Sequence, residues 1–428
     1  MRRVQVIFAA FVLMAASAFS GDAVAPDFGM PATGIYNSDL LSFDETMTGF
    51  MKRNAIPGGS FALVQNGKLI YARAYGFADR DAKTPAQPTT LFRLASVSKP
   101  ITAVAIMTLV EAKKLNLDAK VVELLGIDPF FRIPFQVDAR VRDITVRHLL
   151  QHSSGWDRTK SGDIMFKHFQ IAEDMGIASP PDHASLLRWG FGRPLDFAPG
   201  TKFAYSNFGY CVLGRIIEKV SGQPYEAYVK EHVLGPMGIR GMRIGGARAR
   251  ERVENETAYY DAKNQTVKNV FSEDGPELVP VQYGFNSTGT MDAHGGWIAS
   301  AVDMARFAAA LDHPGEHPVI NAESSAHMIE RPAKPLGVKG DGTSADVFYG
   351  LGWNVRLVDR AGKANVFHSG AMPGTWTLLV RLANGRSWVA LFNQRLENTT
   401  KDNIDTLLHA AAAKVKTWPT DDLFGSFP

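Results

Sequence analysis

Cysteine is nearly absent from this chain: Cys211 is the only one. A single thiol forms no intramolecular disulfide, so the fold has to stand on its core alone. Its setting, "FGYCVLGRII", reads as a buried helix and therefore as a packed thiol rather than a nucleophile. Cys211 also lies far from the N-terminus, which argues against the usual bacterial lipid attachment. An excess of one charge is missing too. The formal net charge is +3 and no basic block of five or six residues occurs, which speaks against nucleic acid as a partner. Long apolar runs are confined to the first twenty residues. No Gly-x-Ser-x-Gly elbow, Gly-rich phosphate loop or zinc-protease helix motif is present, which disfavours an α/β-hydrolase, a nucleotide enzyme and a zincin. His313 and His317 lie in "DHPGEHP" with no third ligand evident, so they read as exposed loop histidines. No metal and no cofactor are expected.

What is present is ordinary for a globular protein, with 45% apolar and 21% charged residues over a length that suffices for two lobes. Arg2 and Arg3 precede the apolar run "VQVIFAAFVLMAASAF" and then small residues, "ASA" at 16–18 and "AVA" at 23–25. This is the pattern of a secretory signal over about residues 1–25, too short and too asymmetrically flanked for a comfortable membrane span. An uncleaved anchor is the alternative. The expected product is a periplasmic or secreted chain with no integral span, residues 26–428 forming one catalytic domain.

Residues 39–54 show helical periodicity through Leu40, Phe43, Met47 and Phe50. Two β-rich runs then flank Asn66-Gly67, a tight-hairpin signal, and "WTLLVRLANGRSWVALFN" repeats that arrangement around Asn384-Gly385. Residues 348–356 supply another strand and 401–416 a last helix. The middle, about 115–290, reads as helices and loops. The fold class expected is α+β: one antiparallel sheet flanked by helices and built from both ends of the chain, with a mostly helical lobe inserted. A ligand cleft falls naturally between the lobes.

Within "LASVSKPI", Ser96 and Lys99 stand three residues apart at the start of an apolar helix. Pro100 suits the first turn, where a missing N–H costs little. Lys99, one turn on, lies on the same side as Ser96. A partly desolvated lysine loses its proton and becomes a base for a serine. Taken alone the pair is ambiguous, because Ser96 equally reads as an N-cap. Further along, Tyr205-Ser206-Asn207 precedes another apolar helix, bringing a proton-relay group and an amide. His368-Ser369-Gly370 ends a strand before a Gly/Pro turn, and a backbone N–H there pairs with that of Ser96 as an oxyanion hole.

Ser96-Val97-Ser98-Lys99, Tyr205-Ser206-Asn207 and His368-Ser369-Gly370, in this order, resemble the serine penicillin-recognising superfamily. That superfamily contains class C β-lactamases, D-alanyl-D-alanine carboxypeptidases, D-aminopeptidases and β-lactamase-like carboxylesterases. Supporting stretches are "ITVRHLLQHSSGW", "PGTKFAYSNFGY" and "GGWIASAVDMARFAAAL", and the likeness spans about residues 40–395. It implies a β-lactamase/transpeptidase-like fold and an acyl-enzyme on Ser96. Lys99 and Tyr205 are then the proton-handling pair, with the identity of the neutral base open. Asn207 contacts the acyl-side amide or orients Lys99, the N–H groups of Ser96 and Ala371 bind the oxyanion, and His368, Ser369 and Gly370 line the substrate site.

Many β-lactamases of the superfamily carry lysine where this chain has His368, a weaker anchor for a carboxylate. The resemblance therefore favours an exported carboxylesterase-like serine hydrolase acting on small esters. D-Ala-D-Ala carboxypeptidase, D-aminopeptidase or weak β-lactamase activity is the alternative, with a D-amino-acid peptide as substrate or a β-lactam as ligand. An acyltransferase and a penicillin sensor that acylates without turnover are readings of other classes. His152-Ser153-Ser154-Gly155 matches a structural turn, and Trp297 and Trp376 read equally well as pocket lining or as buried core.

Overall fold

The computed structural model describes residues 25–129, 138–271, 277–312, 319–339, 343–359, 362–396 and 403–427. Residues 1–24, where a secretory signal is expected, and the pair His313 and His317 lie outside the described residues.

The central sheet is laid down by the two ends of the chain. Its main strands are β1 (Ala32–Gly34), β2 (Gly58–Gln65), β3 (Lys68–Asp79), β4 (Val347–Tyr349), β5 (Asn354–Leu357), β6 (Ala364–Met372), β7 (Thr375–Arg381) and β8 (Arg386–Phe392), with the two-residue strand Thr84–Pro85 pairing on β3 off this path. They are ordered β1-β3-β2-β8-β7-β6-β5-β4 with antiparallel neighbours throughout. The join between the ends is the β2–β8 ladder, running from Gln65 opposite Arg386 to Gly59 opposite Phe392.

Period-two alternation divides each inner strand between two cores. Ala62, Val64, Leu379, Val389 and Leu391 face one, while Phe61, Leu63, Leu378, Val380, Trp388 and Phe392 face the other. Because both faces are covered, these strands read as nearly continuous apolar runs. The second core is closed by α1 (Leu41–Arg53), through Phe43, Met47 and Phe50, and by the C-terminal helix α5 (Ile404–Lys414), through Ile404 and Leu408. The first is closed by α2 (Ser98–Glu111) and α4 (Ala301–Asp312). Truncating one fully buried side chain here, Leu391 for example, to alanine costs on the order of 2–5 kcal/mol.

α2 is buried on nearly every face from Ser98 to Met107, as an apolar helix inside a large core should be. It packs against α3 (Asn207–Ser221), the longest of the helices between α2 and α4. Short antiparallel pairings also occur in this region, such as Arg243–Ile244 with Trp297–Ile298. Two- and three-residue strands carry too little periodicity to be read from sequence.

The two hairpin tips differ. Asn66 (φ 50°) and Gly67 (φ 79°) both adopt left-handed backbone, as a tight two-residue turn demands. At the other hairpin Gly385 (φ 80°) is left-handed; the Leu382 N–H donates to the Arg386 carbonyl (2.7 Å) and the Gly385 N–H to that of Leu382 (3.1 Å). Asn384-Gly385 therefore closes a longer loop with one bulged glycine. The Asn66 N–H donates to the Gly385 carbonyl at 2.7 Å, tying the two tips together.

Candidate active site

The site begins at a strained turn. The chain leaves the short strand Phe92–Arg93, passes Ala95 at φ 48°, makes one 3₁₀ turn over Ala95–Val97 and enters α2. A side chain at that positive φ is costly and persists only where its surroundings hold it. The restraints here are specific. The Thr375 hydroxyl donates to the Arg93 carbonyl (2.9 Å) and that of Thr377 to Leu94 (2.7 Å), both from β7, while Leu94 N–H donates to the Trp297 carbonyl (2.8 Å). Strand β6 presses against the same turn at Gly370. A Cβ there would lie 2.2 Å from the Leu94 carbonyl oxygen and 3.0 Å from Ser96 N. Glycine is the residue that permits this approach. Ser96 is left partly exposed at the end of the turn.

Lys99, one turn into α2, is fully buried. Its Nζ lies 3.1 Å from Ser96 Oγ, 2.8 Å from Asn207 Oδ1 and 2.9 Å from the His294 carbonyl oxygen. Asn207 is the first residue of α3, which Ser206 caps by accepting from Gly209 N–H. Asn207 Nδ2 donates to Asp163 Oδ2 at 2.7 Å. That bond fixes the amide so that its oxygen faces the lysine. Two of the three partners of Nζ can only accept hydrogen bonds. A neutral amine gives both its protons to them and points its lone pair at Ser96 Oγ.

Charge in the site follows burial. Desolvation lowers the Lys99 ammonium well below the ordinary lysine range, against the pull of Asp163 and with help from Arg158. Desolvation raises the Tyr205 phenol, with the Ser96 side chain opposing it. The Tyr205 hydroxyl is buried with no well-formed hydrogen bond among the described residues, although the residue as a whole is only half-buried. Lys99 Nζ sits 4.7 Å from the centre of that ring, and the exposed Arg158 guanidinium 4.6 Å from it. Asp163 is itself raised by burial, with the Asn207 bond opposing.

β6 forms the facing wall. Its pairing with β5 ends at Phe367 opposite Asn354, so the segment from His368 onward runs beside the nucleophile turn instead. Along it, Ser369 and Ala371 are exposed while His368, Gly370 and Met372 are buried. His368 Nδ1 lies 2.8 Å from the Ser369 carbonyl oxygen and Nε2 3.0 Å from the Tyr349 hydroxyl. A carbonyl only accepts, so Nδ1 carries the proton and Nε2 accepts from Tyr349. Burial first, and Lys99 next, lower this imidazole to about 3. His368 is thus neutral at physiological pH and offers no charge to a carboxylate.

Ser96, Lys99, Tyr205, Asn207 and His368 therefore converge, with Ser369, Gly370 and Ala371 along one edge. Trp297 is a core residue bonded to Tyr225 Oη at 3.0 Å, and Trp376 is packed in the second core. Cys211 is buried on α3 and its thiol is pushed up to about 12. His152 holds the tyrosine: its ring packs 4.2 Å from that of Tyr205, and its Nδ1 accepts from Ser206 N–H at 3.1 Å. Asp163, Tyr349, Thr375 and Thr377 carry no local sequence signal of a role here, because each acts through a contact distant in the chain.

The sequence model of the Beta-lactamase family matches residues 43–413. Penicillin-binding protein 4* of Bacillus subtilis (strain 168) is 30% identical over 346 residues, covering 80% of this chain and 69% of the relative. Esterase EstB of Burkholderia gladioli is 30% identical over 338 residues, covering 75% of this chain and 81% of the relative. The solved structure described as "EstCE1, a hydrolase with promiscuous acyltransferase activity" shares the fold with a TM-score of 0.65 at 22% identity, over 88% of this chain and 99% of that one. With the family match running from α1 to α5 around the convergent serine, lysine and tyrosine, this chain belongs to the Beta-lactamase family.

Proposed function

We propose that this protein is an exported serine hydrolase that cleaves carboxylic esters through an acyl-enzyme on Ser96. The observation that carries the mechanism is the set of contacts around Lys99, with the Asn207 amide and the His294 carbonyl at 2.8 and 2.9 Å and Ser96 Oγ at 3.1 Å. Neutral Lys99 takes the Ser96 proton as Oγ attacks the ester carbonyl carbon. The oxyanion lies between the N–H groups of Ser96, on the nucleophile turn, and Ala371, on β6 next to the Gly370 that packs against that turn. Tyr205, held protonated by burial, gives a proton to the departing alkoxide and regains one from Lys99. Water then attacks the acyl carbon by the reverse relay, and the acid leaves.

Ester specificity is supported by two features. His368 is neutral and supplies no ammonium for a β-lactam or peptide carboxylate, and Esterase EstB is a relative of matching extent. Likeness to Penicillin-binding protein 4* supports a second reading, acylation by β-lactams or hydrolysis of D-alanyl peptides. The deciding experiment compares a short-chain ester, a D-Ala-D-Ala peptide and a cephalosporin on the mature protein and on Ser96→Ala. Ester turnover should dominate and fall at least about a thousandfold in the variant. Faster peptide cleavage would transfer the assignment to the second reading. Full ester activity in Ser96→Ala would remove the mechanism.

A further inference from the structure

Two cations meet the ring of Tyr205 in opposite environments. Lys99 is fully buried, while Arg158, whose guanidinium lies 4.6 Å from the ring centre, is exposed. Desolvation drives the lysine toward the neutral amine, whereas a guanidinium is a permanent cation. Burial also keeps the imidazoles of His152 and His368 neutral. Arg158 is therefore the permanent charge that this site turns to solvent.

That charge has no close partner. No hydrogen bond or ion pair holds Arg158 among the described residues, and the carboxylates of its own segment are engaged elsewhere. Asp157 accepts from Lys202 Nζ (2.8 Å) and from the Thr159 N–H and hydroxyl (3.0 and 2.6 Å). Asp163 feels the guanidinium only at longer range, since its oxygens accept from Asn207 Nδ2 (2.7 Å) and the Met165 N–H (3.1 Å). Asp196 accepts from the Asp157 N–H (2.9 Å), with Lys160 Nζ at 3.7 Å. Stacking on an aromatic face holds a guanidinium flat and leaves its N–H edge open. That edge matches a carboxylate through two parallel N–H···O bonds.

We propose that Arg158 binds a carboxylate carried by the substrate, so that the preferred substrates are esters bearing a free acid group. The inference rests on the esterase reading and names the substrate class of that same site. His368 gives such a group no charged anchor on β6, and Arg158 gives it one at Tyr205. The tyrosine joins recognition to chemistry: its hydroxyl serves the departing alkoxide and its ring carries the guanidinium. A carboxylate held there is about one phenol ring away from the bond that breaks. An exposed bidentate pair of this kind is worth about a five- to tenfold gain in kcat/KM.

The test compares each acid with its neutral amide at pH 7. One series carries the group on the acyl half, monomethyl succinate and glutarate against methyl succinamate and glutaramate. The other carries it on the alcohol half, the acetates of glycolate and 3-hydroxypropionate against those of the matching hydroxyamides. In at least one series the acid should exceed its amide about fivefold or more in kcat/KM, by a margin that shrinks as salt is raised. Arg158→Gln should bring that ratio to about one, Arg158→Lys should restore part of it, and Arg158→Glu should take it below one. The lost charge also acts on Lys99, but it does so equally for both members of a pair, so the ratio isolates recognition. Acid and amide cleaved alike by the active wild type, or a preference that persists in folded Arg158→Gln, overturns the inference and leaves the esterase reading standing. Absence of turnover on every ester removes both.

Discussion

Asp163 and Asn207 form a buried carboxylate–amide pair, Oδ2 to Nδ2 2.7 Å, and that bond decides which end of the amide meets Lys99. Two separate effects pass through it. One is orientation, which an asparagine at 163 can preserve through its own carbonyl oxygen. The other is charge, because Asp163 raises the lysine pKa against desolvation.

Asp163→Asn should therefore keep kcat within a few-fold at its plateau and move the acid limb of the pH profile to lower pH. Asp163→Ala frees the amide to flip and should cost on the order of 10–100-fold in kcat. Steady-state profiles of both variants from pH 4 to 9 separate the effects, and identical profiles would place Asp163 outside the proton pathway.

Lys99 and Tyr205 are pushed in opposite directions by the same burial. The lysine must be neutral to act, so kcat/KM rises with pH through its lowered value. The tyrosine must stay protonated, so the plateau continues past pH 9. Lys99→Arg substitutes a guanidinium that does not deprotonate and should lose at least about a thousandfold at every pH. Tyr205→Phe should retain the acid limb while losing about 10²–10⁴-fold. An acid limb that survives in Lys99→Arg would assign it to another group.

Gly370 tests the contact between β6 and the nucleophile turn. A methyl there meets backbone at Leu94 and, 2.4 Å away, the Thr377 hydroxyl that clamps it. Gly370→Ala should lower both Tm and activity, with kcat falling about a hundredfold or more as the two N–H groups move apart. Loss of Tm with normal kcat would mean the seam sets stability alone.

Much of this architecture is legible in residue order. The helical periodicity at 39–54 becomes α1, the β-rich runs around Asn66-Gly67 and Asn384-Gly385 become the two central hairpins, and Ser96 and Lys99 fall one turn apart because helix geometry fixes that spacing. Triplets far apart in sequence are expected to be neighbours only through resemblance, because no local rule brings them together. Asp163 is different. It caps a three-residue 3₁₀ turn, Ile164–Phe166, within a loop-rich stretch, and only the packing of that turn against α3 brings it to Asn207. Tyr349 likewise reads as one more strand aromatic until β4 is placed at the sheet edge. Thr375 and Thr377 look like ordinary strand residues, yet their hydroxyls hold the main chain of a segment 282 and 283 positions away.

The same long span has a consequence in time. Gln65 and Arg386 stand 321 positions apart and are direct neighbours in the ladder between β2 and β8. Contacts of such separation form late, because loop closure has to precede them. β7, which carries both clamping threonines, gains its second neighbour only when β8 is seated. A growing chain thus carries its serine and lysine for most of its synthesis as an inert pair. On the proposed mechanism reactivity arrives only with the last strands, so a chain interrupted before β8 should hydrolyse no ester.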